Sequence, residues 1–177
     1  MVPTKNLARR NSGNKSNSKP IEKDMILEAG TLAHEFTLTN QDGQSVCLSD
    51  HLGKNIIVYF YPAASTQGCT IQACDFRDNI NSLKSTGYTV LGISSDKQNK
   101  LKKFQEKQDL NFDLLSDEDS EVQKAFGAYG VKQMHGKEYM GTIRSTFVVD
   151  PFGKISHAFY KVRTTGHVQF LKEQLNL

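Results

Sequence analysis

"NIIVYFYPAASTQGCTIQACDF", residues 55–76, is the stretch that decides the fold. Its first seven residues, dominated by Ile, Val and aromatics, read as a buried strand. Pro62 ends that strand, residues 62–68 form a loop, and a helix begins near Cys69. On the helix Cys69, Ala73, Phe76, Ile80 and Leu83 recur at steps of three and four, so they form its buried face. Thr70, Cys74, Arg77 and Asn81 fall on a different, mostly polar stripe.

The same alternation continues on either side. Upstream, "EFTLTNQDGQSVCLSD" reads as two short strands around an Asp42-Gly43 turn. Downstream, "YTVLGISS" is a second buried strand, with Ser95 or Asp96 expected to cap the helix in "DKQNKLKKFQEKQD". "FDLLSD" leads to another cap and a helix over "EDSEVQKAFGAYG". "STFVVDPFGKISHAFYKV" is a hairpin turning at Pro151-Phe152-Gly153-Lys154, and "GHVQFLKEQLNL" is a helix with Val168, Leu171 and Leu175 on one stripe. Strands alternating with helices, closed by an antiparallel hairpin and a helix, predict an α/β fold with a mixed sheet and helices on both faces.

At 177 residues the chain suits one domain with a real core. Residues 1–20 carry five Lys or Arg and no acid, against +3 for the whole chain, which leaves −2 for residues 21–177. A nearly neutral folded part argues against a nucleic-acid-binding surface on the fold itself. Residues 1–24, rich in Asn, Ser and Lys, are expected to be a disordered basic tail, and residues 25–177 the folded domain. The tail reads most simply as a solubilising extension. Nuclear targeting, a weak contact with nucleic acid and organelle import remain open readings of it. The longest apolar run, Ile56–Tyr61, is too short to cross a bilayer, and the N-terminus lacks the apolar core of a secretory signal. A cell interior, cytoplasm or nucleus, is therefore expected, with thiols reduced at rest and any disulfide transient or catalytic.

Three cysteines, an odd number, do not make a structural disulfide framework. Cys47, in a short strand, reads as structural. Cys69 sits where free N–H groups and the helix dipole favour an anion, a setting that supplies thiolate. Thr66 can hydrogen-bond the sulfur or a substrate oxygen, Gly68 permits close backbone approach, and Pro62 stiffens the loop and can shield the thiolate from water. Cys74 follows Cys69 by five residues. In an intact helix that step gives a rise of about 7.5 Å and a rotation of about 140°, which leaves the Cα atoms roughly 8–9 Å apart. A disulfide needs less than about 7 Å, so these two thiols can join only if the helix unwinds locally. Zinc is the competing use of a cysteine pair. The chain offers no second pair and no histidine spacing to match, so neither metal nor cofactor is expected.

"PAASTQGC" is similar to the Pro-x-x-x-Thr-x-x-Cys signature of peroxiredoxins, here Pro62, Thr66 and Cys69. "TIQACDFRDN" resembles the peroxiredoxin Q (bacterioferritin comigratory protein) subfamily, whose resolving cysteine lies five residues on, matching Cys74. "YGVKQMHGKEYMGTIRSTFVVDPFGKI" is similar to that subfamily's second diagnostic stretch and supplies Arg144. The resemblance implies a thioredoxin-like fold and reduction of hydrogen peroxide or alkyl hydroperoxides. By position, Cys69 would be the peroxidatic nucleophile and Cys74 the resolving one. Thr66, Gly68 and Arg144 would bind the peroxide, Gln72 would help hold Arg144, and Pro62 would shield the site. Thioredoxin is the implied electron donor. An intrachain resolving cysteine removes the need for a partner subunit, so a monomer is expected. The alternative class of function is a nuclear or chromatin-associated redox-sensing binding protein acting through its tail.

Overall fold

A computed structural model describes residues 26–177; the basic tail expected over residues 1–24, with its targeting and nucleic-acid readings, lies outside them. The strand of the opening stretch, β3 (Asn55–Phe60), lies inside the sheet and is covered on both sides. Ile57 and Tyr59 join one core and Ile56, Val58 and Phe60 the other, the period-two split a pleated strand imposes. Around β3 the sheet holds β1 (Thr37–Asn40), β2 (Ser45–Cys47), β4 (Tyr88–Ser94), β5 (Asp113–Ser116), β8 (Ser145–Val149) and β9 (Ile155–Tyr160). Their order is β2-β1-β5-β4-β3-β8-β9. The three central strands β3, β4 and β5 run parallel, and every other pairing is antiparallel.

Parallel neighbours need crossovers. Here these are α1 (Gln67–Ser85) between β3 and β4, and α2 (Gln98–Gln108) between β4 and β5. Both pack with α4 (His167–Gln174) over the core of Tyr59, Phe76, Phe104 and Leu171. The expected apolar face of α1 is the one buried, with Cys69, Ala73, Phe76, Ile80 and Leu83 all inside. The opposite face is covered by the N-terminal segment around Phe36, by Phe126, and by Val122 of α3 (Glu121–Ala125). Among the described residues no helix is long and apolar enough to cross a membrane.

Two local expectations need correction. The cap of α2 is Lys97, without a side-chain bond, and not Ser95 or Asp96. Asp96 turns instead to the Ala64 N–H at 2.7 Å and the Ser94 hydroxyl at 2.8 Å, stronger partners in a half-buried place. The helix expected over residues 118–130 is only Glu121–Ala125. The Asp117 carboxylate accepts the N–H groups of Gln123 and Val122, and Phe126 and Ala128 are drawn out of the helical path into the core. Beyond Ala128, in a stretch for which the sequence reading set no element past residue 130, β6 (Tyr129–Met134) and β7 (Lys137–Thr142) pair as a separate two-stranded ribbon. It turns at His135-Gly136, both with positive φ (52° and 75°), the geometry that tight hairpins require.

Candidate active site

α1 starts immediately after β3, so its N-terminus opens at the carboxyl ends of the parallel strands, where open α/β sheets leave a crevice. The loop between them is tied down from the neighbouring strand. The Ala64 N–H donates to Asp96, whose carboxylate also accepts the Ser94 hydroxyl and pairs with Lys100 at 3.0 Å. Ser65 takes a positive φ of 65°, and Thr66 is the N-cap residue in extended backbone. The Thr66 hydroxyl donates to the Ala63 carbonyl at 2.7 Å and does not touch the Cys69 sulfur. Its donor is thus committed within the loop, and the oxygen keeps lone pairs free to accept. Pro62, at the mouth of the same loop, is half-buried.

Cys69 is the third residue of α1 and 1% exposed. Arg144 reaches it from the segment between β7 and β8, which is fixed by bonds from Ile143 N–H to Ala128 O and from Val162 N–H to Arg144 O. The guanidinium forks. Nη2 donates to Cys69 Sγ at 3.3 Å and Nη1 to Gln72 Oε1 at 2.6 Å. Gln72, fully buried one helical turn beyond Cys69, uses its carbonyl oxygen on Arg144, while its Nε2 has no partner among the described residues. A Cβ on Gly68 would stand 3.2 Å from Thr164 Cγ2 and 3.5 Å from Arg144 Nη2. Glycine there lets both side chains lie against the first turn of α1. The structure therefore brings Cys69, Gly68, Gln72 and Arg144 together, with Thr66 and Pro62 on the adjoining loop.

Cys74 points elsewhere, half-buried toward the end of α2, with Sγ donating to Gln108 Oε1 at 3.5 Å. All three cysteines are free thiols, and α1 runs unbroken through Cys69 and Cys74.

Several residues that sequence reasoning did not single out complete the surroundings. Tyr59 stacks on Phe76 at 4.6 Å, and Tyr59 and Tyr61 bury hydroxyls that find no hydrogen-bond partner among the described residues; burial pushes both phenols up. His167, at the start of α4, shares a 2.8 Å hydrogen bond with Thr146. Burial, assisted by the Arg144 charge, pulls its imidazole down to about 4. Beside it an open groove of about 550 Å³ runs between the end of β9 and α4, with Phe159, Val162, Arg163 and Phe170 among its walls. A histidine after a glycine at the expected start of a helix and an aspartate after a strand were the only signals for His167 and Asp96. Both read equally well as ordinary core and cap.

Residues 29–158, from the N-terminal segment into β9, match the model of the AhpC/TSA family. The chain belongs to the AhpC/TSA family. A putative peroxiredoxin of Mycobacterium tuberculosis is 56% identical over 157 residues, 89% of this chain and 100% of that protein. Peroxiredoxin Bcp of Escherichia coli K12 is 50% identical over 151 residues, covering 83% of this chain and 97% of its own length. Among solved structures, the bacterioferritin comigratory protein of Xanthomonas campestris superposes with a TM-score of 0.77 at 33% identity, over 86% of this chain and 98% of that one. The chain is thus a peroxiredoxin of the Bcp (peroxiredoxin Q) type, a thiol peroxidase with a thioredoxin-like fold. This agrees with the family expected from "PAASTQGC" and the second stretch. In this peroxiredoxin both stretches meet at one place, the first at the N-terminus of α1 and the second delivering Arg144 to it.

Proposed function

We propose that this peroxiredoxin reduces hydrogen peroxide and organic hydroperoxides through Cys69, with Cys74 as the resolving thiol and a thioredoxin-type dithiol as electron donor. The observation that carries the reading is the Arg144 fork, 3.3 Å from Cys69 Sγ and 2.6 Å from Gln72 Oε1. A fixed guanidinium beside the sulfur, together with the helix N-terminus, stabilises the negative charge that develops as the O–O bond breaks. Gln72 holds the fork in plane, and the Thr66 hydroxyl oxygen, with its lone pairs free, accepts a hydrogen bond from the peroxide O–H.

The Cys69 thiolate attacks the distal oxygen. An S–O bond forms, the O–O bond breaks, and the alkoxide or hydroxide leaves with a proton as alcohol or water, giving a sulfenic acid. Cys74 then attacks the Cys69 sulfur. The S–S bond forms, the S–O bond breaks, and the hydroxyl leaves as water with the Cys74 proton. An external dithiol reduces the disulfide by two exchanges, itself becoming oxidised. The groove lined by Phe159, Val162 and Phe170 offers apolar surface beside the site for an alkyl group. The X. campestris relative is described in terms of alkyl peroxide reduction, in line with that use.

The test is rapid mixing of reduced protein with hydrogen peroxide, then thiol counting and peptide mapping of the quenched product. Two thiols should vanish together, map to a Cys69–Cys74 link and return with thioredoxin, and Cys69→Ser should abolish turnover. Thiols that react no faster than free cysteine would overturn the reading.

A further inference from the structure

If Cys74 is to reach Cys69, α1 must open, and the contacts along it mark where. On the N-terminal side the chain is anchored at Ala64 by Asp96, at 2.7 Å. On the C-terminal side α1 is stitched to α4 from Asp75 onward. Asp75 Oδ2 accepts the Val168 N–H at 2.9 Å in the first turn of α4, and Lys172 Nζ donates to Asn79 Oδ1 at 3.0 Å. Asn79 in turn donates to the Asp75 carbonyl at 2.8 Å. Cys74 is the last residue before the stitch. Between the two anchors lie Ser65, with its positive φ, and Gly68, both poor at holding regular helix.

Beside the Arg144–Gln72 bond inside that window, a second lateral restraint acts at the turn that bears Cys74, and it converges on the end of α2. Cys74 Sγ donates to the side-chain Oε1 of Gln108 at 3.5 Å. Arg77, three residues further and so a neighbour of Cys74 on the helix surface, donates from Nη1 to the backbone carbonyl of the same Gln108 at 2.6 Å. Asn111 donates to the Arg77 carbonyl at 3.3 Å, which completes a short seam. The Gln108 carbonyl is available because α2 stops there, at Asp109 with φ 52°. Arg77 also pairs with Asp78 at 2.9 Å on the solvent side, so its guanidinium is oriented from both ends.

We propose that Gln108 and Arg77 form a latch over Cys74 that sets how fast Cys74 reaches the Cys69 sulfenic acid, and so how much enzyme is lost to overoxidation. The inference rests on the Cys69–Cys74 reading above. Closed, the latch holds the Cys74 sulfur against the end of α2 and keeps α1 wound, which leaves the Cys69–Arg144 site assembled for peroxide. Released, it frees Cys74 to swing to the other side of α1. The sulfenic acid has two fates. Attack by Cys74 forms S–S and expels water. Attack on a second peroxide transfers one oxygen to sulfur, breaks O–O, releases water or alcohol, and leaves a sulfinic acid that Cys74 cannot reverse. A tighter latch lengthens the exposure to the second fate. Gln108 and Arg77 are positioning residues, for they act on Cys74 and touch neither peroxide nor the Cys69 sulfur.

The experiment tracks Gln108→Ala, Arg77→Ala and the unaltered chain after mixing with a series of peroxide concentrations. Quenched mass spectrometry counts sulfenic, disulfide and sulfinic forms over time. The rate constant for sulfenic acid formation should stay within about twofold in both variants, which also shows that each is folded. Disulfide formation should accelerate, on the order of tenfold for Arg77→Ala because that bond is charge-assisted, and less for Gln108→Ala. The sulfinic yield at a given peroxide concentration should fall in proportion. Unchanged or slower disulfide formation in both variants, with a normal first step, overturns the latch alone. Absence of any Cys69–Cys74 link in the unaltered chain overturns the resolving-thiol reading and the latch with it.

Discussion

Arg144 is half-buried, and one guanidinium spans two acceptors, the Cys69 sulfur and the Gln72 carbonyl oxygen. A lysine cannot reproduce that, because an ammonium is a single point of charge without a planar fork. Arg144→Lys should keep a cation nearby yet lower the second-order rate of Cys69 oxidation by about a hundredfold, the usual effect of losing one preorganised donor at a developing oxyanion. Stopped-flow measurement with hydrogen peroxide checks it, and a loss under threefold would mean that charge alone suffices. The approach of Arg144 to Cys69 was not legible in spacing, since 75 residues separate them and Arg144 stands just outside a strand. It entered the sequence reading only through a resemblance of motifs. Thr66 differs again. Its residue type allowed a bond to the sulfur or to a substrate oxygen; in the fold its hydroxyl donates to the Ala63 carbonyl three residues back, a local turn bond.

Among the elements, α1 was the most legible, because Cys69, Ala73, Phe76, Ile80 and Leu83 repeat at helical steps and all are buried. The ribbon of β6 and β7 was the least. Val131, Met134, Tyr139 and Met140 are exposed, so no apolar face marks it, and only the His135-Gly136 turn gives it away. Asp96 reads as a helix cap for the same kind of reason: its actual partner, the Ala64 N–H, comes from another element. The anchors at Ala64 and Asp75 carry a measurable expectation for α1. On oxidation, amide hydrogen exchange should rise over residues 65–74 and stay low from Asp75 to Ser85, where Val168 and Lys172 hold the helix. Uniform loosening of all of α1 would contradict anchoring by α4. α4 itself begins at His167, a buried imidazole beside Phe76 and Phe170. Its value of about 4 lies below the ordinary 6.5. Between those two pH values the unfolded chain binds a proton that the folded chain refuses, so stability is full above about 6.5 and falls as pH drops toward 4, by up to about 3 kcal/mol. Denaturant melts at pH 7 and pH 4.5 should show this drop, and His167→Gln should flatten it.

For the molecule taken as one body, the resolving thiol proposed here lies on the same helix as the reactive one, so a single chain holds everything the cycle needs except the reductant. Sedimentation of the reduced protein should accordingly give a monomer at micromolar concentration, and a stable reduced dimer would argue that a second copy contributes. The topology also sets when the site can exist. Cys69 comes directly after β3, yet Arg144 is carried in by the register of β8 against β3, where Ser145 pairs with Phe60. During synthesis Cys69 therefore emerges 75 residues ahead of Arg144. Until β8 has docked, Cys69 lacks the guanidinium that stands 3.3 Å from its sulfur in the finished fold. On the reading proposed above, fast oxidation of Cys69 should therefore appear only once the sheet is complete. A copy that ends before Arg144 should then lose thiol to peroxide more slowly than the finished molecule does.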